Sequence, residues 1–261
     1  MAAQEWRNFA GVFGRLRPPL RPAPEDVAIT RRAIAGKDRR VLLLGVTPEL
    51  SELGEALVGI DNSPRMLAQV WPGDDGRRRA IVGDWLSLPF DDGTFGAVIG
   101  DASPNAAPEA VDGLLGEARR VLAAGGRAVF RVFCSPEESE TLLSIRRDVE
   151  AGWQGNFHAL KWRIAMAVAA DRREWIVPVR AILAAFGDTF PDRARLAAIT
   201  GWAEEEIGTI DAYANADHSL GFPTLRHMLA LGERHFSSAS VETADGYSLA
   251  ERCPTIIWSV P

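Results

Sequence analysis

The stretch from Val41 to Asp61 constrains this chain more than any other. Val41-Leu42-Leu43-Leu44 runs without a polar residue into Gly45, a short polar turn follows, and an apolar run from Ala56 to Ile60 delivers Asp61 sixteen positions after the glycine. A continuous apolar run reads as a strand covered on both faces of a parallel sheet, and a glycine at its end lets the backbone turn tightly beside a ligand. An acid at the tip of the next strand is placed to accept both hydroxyls of a ribose. The pattern predicts a site for an adenosine-bearing ligand on an α/β sheet.

The flanking sequence continues that alternation. It predicts strand 41–45, helix near 49–54, strand 56–61, helix 63–70, strand 79–83, strand 96–100, helix 107–122 and strand 127–133, a βα succession with helices on both faces of a parallel sheet. Ser63-Pro64 supplies a cap and a proline at the first helical position. Val111, Leu114, Leu115, Ala118, Val121 and Leu122 mark the buried stripe of the helix at 107–122. Phe236 to Glu242 and Thr255 to Val260 flank a polar turn and read as a closing antiparallel pair.

Three further phrases narrow the fold to a family. Ala80-Ile81-Val82 leads to Gly83-Asp84-Trp85; Leu88-Pro89-Phe90 and Asp91-Asp92-Gly93-Thr94-Phe95 lead into Ala97-Val98-Ile99-Gly100-Asp101; and Arg120-Val121-Leu122-Ala123-Ala124-Gly125-Gly126 precedes a strand. Between about Asp38 and Phe133 the chain resembles the class I S-adenosylmethionine-dependent methyltransferases. The resemblance implies a Rossmann-like methyltransferase sheet, mostly parallel with a C-terminal antiparallel hairpin, and S-adenosyl-L-methionine as cofactor. It implies Asp61 at the ribose, with Asn62 and Met66 beside it, Asp84 and Trp85 at the adenine, and backbone from Gly45 and Thr47 at the methionine part. Asp101 is expected at the methyl end, as both a cofactor contact and a catalytic candidate. The first loop departs from the family pattern: Leu43 replaces an acid, and Val46-Thr47-Pro48-Glu49 replaces further glycines.

At the N-terminus, Trp6, Phe9, Phe13 and Leu16 recur at helical spacing, and Arg17-Pro18-Pro19-Leu20-Arg21-Pro22 must cross the surface extended. Pro24-Glu25-Asp26 then opens a helix that Gly36 ends. Residues 1–36 form an N-terminal helical segment in this reading, and Arg21 is a candidate for the methionine carboxylate because such segments cover the cofactor in many family members. From Glu137 to Leu231 the βα rhythm stops and helical patterns follow one another. This is read as a helical cap insertion, 137–231, within a single methyltransferase-like domain spanning 1–261. His158 and Trp162 stand four residues apart in it, so they share a helix face and would present an aromatic surface with one group titrating near neutrality. His158 is therefore a catalytic candidate.

Composition sets outer limits. Lys plus Arg number 29 against 35 Asp plus Glu, a net charge of −6, which is a poor match for a polyanion and argues against a nucleic-acid substrate. No apolar run approaches the roughly 20 residues of a membrane span, and the N-terminus lacks a secretory pattern. Cys134 and Cys253 are too few for a disulfide framework or a zinc site, which points to a reducing cytoplasm and to no metal. The leading expectation is cytoplasmic methyl transfer to a small-molecule acceptor by a monomer or homodimer. A non-catalytic binding or regulatory protein of the same fold is the alternative. A nicotinamide-dependent oxidoreductase is disfavoured by the lack of Gly-x-Gly-x-x-Gly and Tyr-x-x-x-Lys patterns.

Overall fold

The computed structural model describes residues 7–261, with side chains from Ala10 onward. Trp6 and the side chain of Phe9, expected on the first helix, lie outside the described residues. The chain begins with α1 (Arg7–Val12) and a 3-10 turn at Phe13–Arg15, then an extended crossing to α2 (Pro24–Ile34). Pro24 sits in the first turn of α2, and the buried Asp26 carboxylate accepts the Ala23 amide at 2.8 Å. The sheet strands are β1 (Val41–Leu44), β2 (Leu57–Asp61), β3 (Arg78–Val82), β4 (Phe95–Asp101) and β5 (Leu122–Arg131). Between them lie α3 (Pro64–Gln69), α4 (Ser103–Ala106) and α5 (Val111–Val121). After β5 come α6 (Leu142–Glu150), α7 (Phe157–Arg172), β6 (Ile176–Pro178), α8 (Val179–Thr189), α9 (Arg193–Thr200), α10 (Glu204–Ile207) and β7 (Ser219–Gly221). The chain then closes through α11 (Leu225–Gly232), β8 (Ser238–Glu242) and β9 (Thr255–Ser259).

Seven strands form one sheet in the order β3-β2-β1-β4-β5-β9-β8, parallel from β3 to β5 and antiparallel at β5-β9 and β9-β8. Strand alternation divides the apolar run of β1 between two cores. Leu42 and Leu44 pack under α5 with Leu114, Leu115 and Ala118, whereas Val41 and Leu43 pack under α2 with Ala33 and Ile34. Leu43, standing where the family has an acid, is fully buried in that second core.

Several boundaries differ from expectation for local reasons. The helix expected near 49–54 is only a 3-10 turn at Pro48–Leu50, because Gly54 takes a φ of +94° that ends any helical run. The helix expected at 107–122 starts at Val111, preceded by α4 and a 3-10 turn at Pro108–Ala110, since Pro104 and Pro108 each restart the backbone. Leu122 already belongs to β5, where it pairs with Phe95 before the register shifts. The region 137–231 is not wholly helical. Residues Ile176–Pro178 and Ser219–Gly221 pair as a two-stranded antiparallel sheet, strands too short to show alternation in sequence.

Nor does all of that region form the cap. Met228 of α11 packs with α5 and Trp258, and Gly232 lets the helix approach the Trp258 indole closely, so α11 covers the sheet. The rest of the region has a core of its own. Ile145 and Val149 of α6, nearly all of α7, and Ile182 and Phe186 of α8 pack together, joined by Leu16 and Leu20 from the N-terminal segment. Arg252, just ahead of β9, ties the cap to the sheet through Glu140 (2.6 Å), which also pairs with Arg163 of α7.

Candidate active site

A cavity of ≈ 380 Å³ opens at the C-terminal ends of β1, β2 and β4. Strand order reverses there, with β1 flanked by β2 on one side and β4 on the other, and open α/β sheets bind ligands at such a point.

One half of the wall comes from the sheet. Gly45 has a φ of +109° and its amide donates to the Ile60 carbonyl at 2.8 Å. A β-carbon there would stand 3.8 Å from the Trp85 ring, so glycine is required by the backbone conformation rather than by lack of room. The Trp85 indole donates to the same Ile60 carbonyl at 2.7 Å, which fixes its ring in the wall. Asp61, 8% exposed, accepts the Ser63 amide on Oδ1 at 2.8 Å, and Ser63 in turn caps α3. Burial pushes the Asp61 carboxyl up to about 6 despite that amide. Thr47, Asn62 and Met66 line the same half, and Asp84 joins them while accepting the Leu86 amide at 2.9 Å.

Asp101 closes the wall at the end of β4. Its Oδ1 accepts Arg131 Nε at 2.6 Å, and both side chains are nearly inaccessible. Asp26 lies 3.9 Å from Arg131 and accepts the Tyr247 hydroxyl at 3.1 Å, so two buried acids face one arginine. Burial raises the Asp101 carboxyl and Arg131 pulls it back only in part.

The other half comes from the cap and the N-terminal segment: Phe133, Trp162, Tyr213, His218 and Leu220 on one side, Phe13 and Leu20 on the other. Asn105 sets the seam between the halves. Its amide group donates to the carbonyls of Phe133 (2.8 Å) and Gly221 (2.6 Å) and accepts the Phe133 amide (3.0 Å).

With this geometry in place, comparison with known proteins gives a family likeness over part of the chain. Residues 45–130 match the family model described as "Methyltransferase domain". Over that third of the chain the sequence is similar to the methyltransferase domain. Solved structures share the fold at low identity. A chain from the complex between the Haloferax volcanii Trm112 methyltransferase activator and a methyltransferase is 13% identical, with a TM-score of 0.52, covering 100% of this chain and 98% of that one. A SAM-dependent methyltransferase from Methanosarcina mazei is 15% identical, with a TM-score of 0.50, covering 92% and 99%. A Rhodobacter sphaeroides protein named as a Zn-dependent alcohol dehydrogenase is 13% identical, with a TM-score of 0.59, covering 99% and 97%. No curated protein matches the sequence.

S-adenosyl-L-methionine is the cofactor that the methyltransferase domain implies, and the donor set fits it. Asp61 is a buried carboxylate at the strand tip with a single amide partner, suited to hydroxyls. The Trp85 ring with Asp84 offers a flat face and an acceptor, and the acid excess around Arg131 suits a ligand carrying positive charge. Among the described residues, no group of three or more His, Cys, Asp or Glu side chains is arranged to hold a metal ion.

The cavity gathers Gly45, Thr47, Asp61, Asn62, Met66, Asp84, Trp85, Asp101 and Trp162. Two candidates fall elsewhere. Arg21 is not in the wall: its Nε donates to Glu49 at 2.6 Å and its guanidinium lies over Phe13, because Glu49 of the first loop offers a nearer carboxylate. His158 is fully buried outside the wall, its Nε2 donating to the Arg15 carbonyl at 3.2 Å. A shared helix face does not put it beside Trp162, because α7 is buried on all sides and different neighbours meet its two ends. Tyr213 and Phe133 were not legible as site residues. Tyr213 sits in a 3-10 stretch with no clear period, and Phe133 lies just beyond the last sheet residue of β5.

Burial, with repulsion from Lys161 and Arg17, holds the His158 imidazole down at about 3, so it is neutral at pH 7 and cannot supply the neutral-range titration expected of it. The unfolded chain, with an ordinary value of 6.5, takes up a proton first as pH falls, so the stability His158 lends is complete above pH 6.5 and drains away toward pH 3. His158→Gln, which keeps a donor for Arg15, should flatten that acid limb by approaching about 1.4 kcal/mol per pH unit below 6.5. Urea unfolding of both proteins at pH 7, 6 and 5 checks this; a difference independent of pH would contradict it.

Proposed function

We propose that the protein transfers a methyl group from S-adenosylmethionine to a small molecule held between the sheet and the cap. The observation that carries this reading is the two-sided cavity, polar on the sheet half and aromatic on the cap half, closed over by Phe13 and Leu20. A macromolecule would need that cover removed, and a net charge of −6 does not favour a nucleic acid. When bound, the cofactor supplies a methyl group on a positively charged sulfur. What remains for the protein is to hold the reacting groups in line and exclude water.

In this reading Asp61 holds the ribose, Asp84 and Trp85 flank the adenine, and the backbone at Gly45 and Thr47 meets the methionine part. Asp101, braced by Arg131, stands at the end of β4 as the carboxylate available to a proton on the acceptor. Among the described residues no helix is long and apolar enough to cross a membrane, and two free, buried cysteines accord with a reducing cytoplasm.

Titration calorimetry with S-adenosylmethionine and S-adenosylhomocysteine, followed by turnover assays on pooled small molecules, protein and RNA, tests the reading. Binding with small-molecule methylation supports it, and turnover on protein or RNA alone would overturn the acceptor class. Binding without any turnover would favour a non-catalytic role, the reading encouraged by a first loop braced through Pro48 and the Arg21–Glu49 pair instead of glycines.

A further inference from the structure

The charged side chains that line the cavity are all acids. Asp61, Asp84, Asp101 and Glu109 border it, and among the described residues no lysine or arginine does. The cations behind the wall are already matched: Arg21 by Glu49, and Arg131 by Asp101, with Asp26 a further 3.9 Å away. His218, also in the wall, adds no positive charge at pH 7, since burial holds its imidazole down at about 4. Low-dielectric walls that carry one sign of charge concentrate that field in the space between them and draw in the opposite sign. S-adenosylmethionine brings a single net positive charge, so most of this acid is left for something else.

Two of the acids are open to a second ligand. The Asp101 side chain is 7% exposed; Arg131 holds its Oδ1, whereas Oδ2 makes no hydrogen bond and keeps accessible surface in a residue that lines the cavity. Glu109, in the 3-10 turn ahead of α5, is exposed and forms no ion pair or hydrogen bond among the described residues. Resting on the methyltransferase reading, we propose that the acceptor is a small primary or secondary amine on an apolar body, entering as its ammonium form. Asp101 Oδ2 accepts a hydrogen bond from the ammonium and then its proton, while Glu109 attracts the charge from the rim. The freed nitrogen lone pair forms a bond to the methyl carbon as the carbon–sulfur bond breaks. That electron pair stays on sulfur, and the products are an N-methylammonium and S-adenosylhomocysteine. Phe13, Phe133 and Leu220 border the space with apolar surface for the carbon part. A carboxylate or phosphate would meet four acids and no cation, and an alcohol would forgo the charge-assisted bond.

The full chain saturated with S-adenosylhomocysteine, which has no methyl group to give, is titrated at pH 7 with benzylamine, benzyl alcohol and benzoate, probes of one shape and three charges. Benzylamine should bind most tightly and benzoate least, and the margin over benzyl alcohol should shrink as salt is raised. Asp101→Asn should weaken benzylamine by roughly 10-fold or more. Glu109→Gln, at an exposed position on which no bond of the fold depends, should weaken it by up to about 5-fold, and Glu109→Lys should move the preference toward benzoate. Benzyl alcohol should respond far less to each change. No binding of benzylamine, equal or tighter binding of either other probe, or a preference unmoved by both Glu109 substitutions would overturn the proposal. Binding of S-adenosylhomocysteine is measured first and separately. Its absence would defeat the methyltransferase reading, while the same titrations on ligand-free protein would still decide whether the cavity selects a cation.

Discussion

Replacing Asp61 with asparagine should weaken S-adenosylmethionine binding by about 1.5–3 kcal/mol, while making the ligand-free protein more stable at pH 7. The first effect follows from the loss of charge-assisted bonds to the ribose hydroxyls and corresponds to roughly 10- to 150-fold in Kd. The second follows from burial. The carboxyl is raised from 3.8 to about 6 in the folded protein, so between those values the native state holds a proton that the unfolded chain has released. Stability therefore falls as pH rises through that window and stays low above it. At about 1.4 kcal/mol per unit the penalty removed by asparagine is up to about 3 kcal/mol. The asparagine Oδ1 can still accept the Ser63 amide, so the turn into α3 is kept. Calorimetry and urea unfolding on the same preparations test both signs together. A variant that loses stability and affinity in parallel would show that Asp61 only holds the turn.

Replacing Arg131 with leucine should cost about 3–5 kcal/mol of stability, the largest single effect expected outside the apolar cores. Asp101 and Asp26 would then share a buried site without their cation, their desolvation uncompensated. Adding Asp101→Asn should recover part of the loss, a coupling of about 0.5–3 kcal/mol for groups in direct contact. Lower pH should also recover part of it, as the stranded carboxyls take up protons. Urea unfolding of the single and double variants at pH 7 and 5 measures all of this. A loss below about 1 kcal/mol, independent of pH, would mean the arginine does little beyond filling space.

The sheet was legible because each of its parts left a mark in the sequence. Val41 to Leu44 is apolar at every position because both faces are covered, and Asp61 and Asp101 end strands where an acid is useless to a core. The cofactor half of the cavity follows from those strand ends, since loops after parallel strands converge on one edge. The cap half was harder to read. His158 and Trp162 are equivalent on a helical wheel, yet one meets the Arg15 carbonyl and the other meets Phe133, and nothing in the spacing distinguishes those neighbours. Arg131 was also hidden: its partners Asp26 and Asp101 lie 105 and 30 positions away, and only the sheet brings them together.

Because the cap's apolar cluster is separate from the two beneath α5 and α2, the cavity runs along a seam between units that pack independently. Substitutions on opposite banks share few neighbours, so their free energies should add, and a change in the aromatic bank need not disturb Asp61. Under the proposed function, acceptor preference is thus free to drift through the cap while the means of delivering the methyl group stays constant. A single protein of this shape is a ready starting point for a series of enzymes that differ in what they methylate and agree in how.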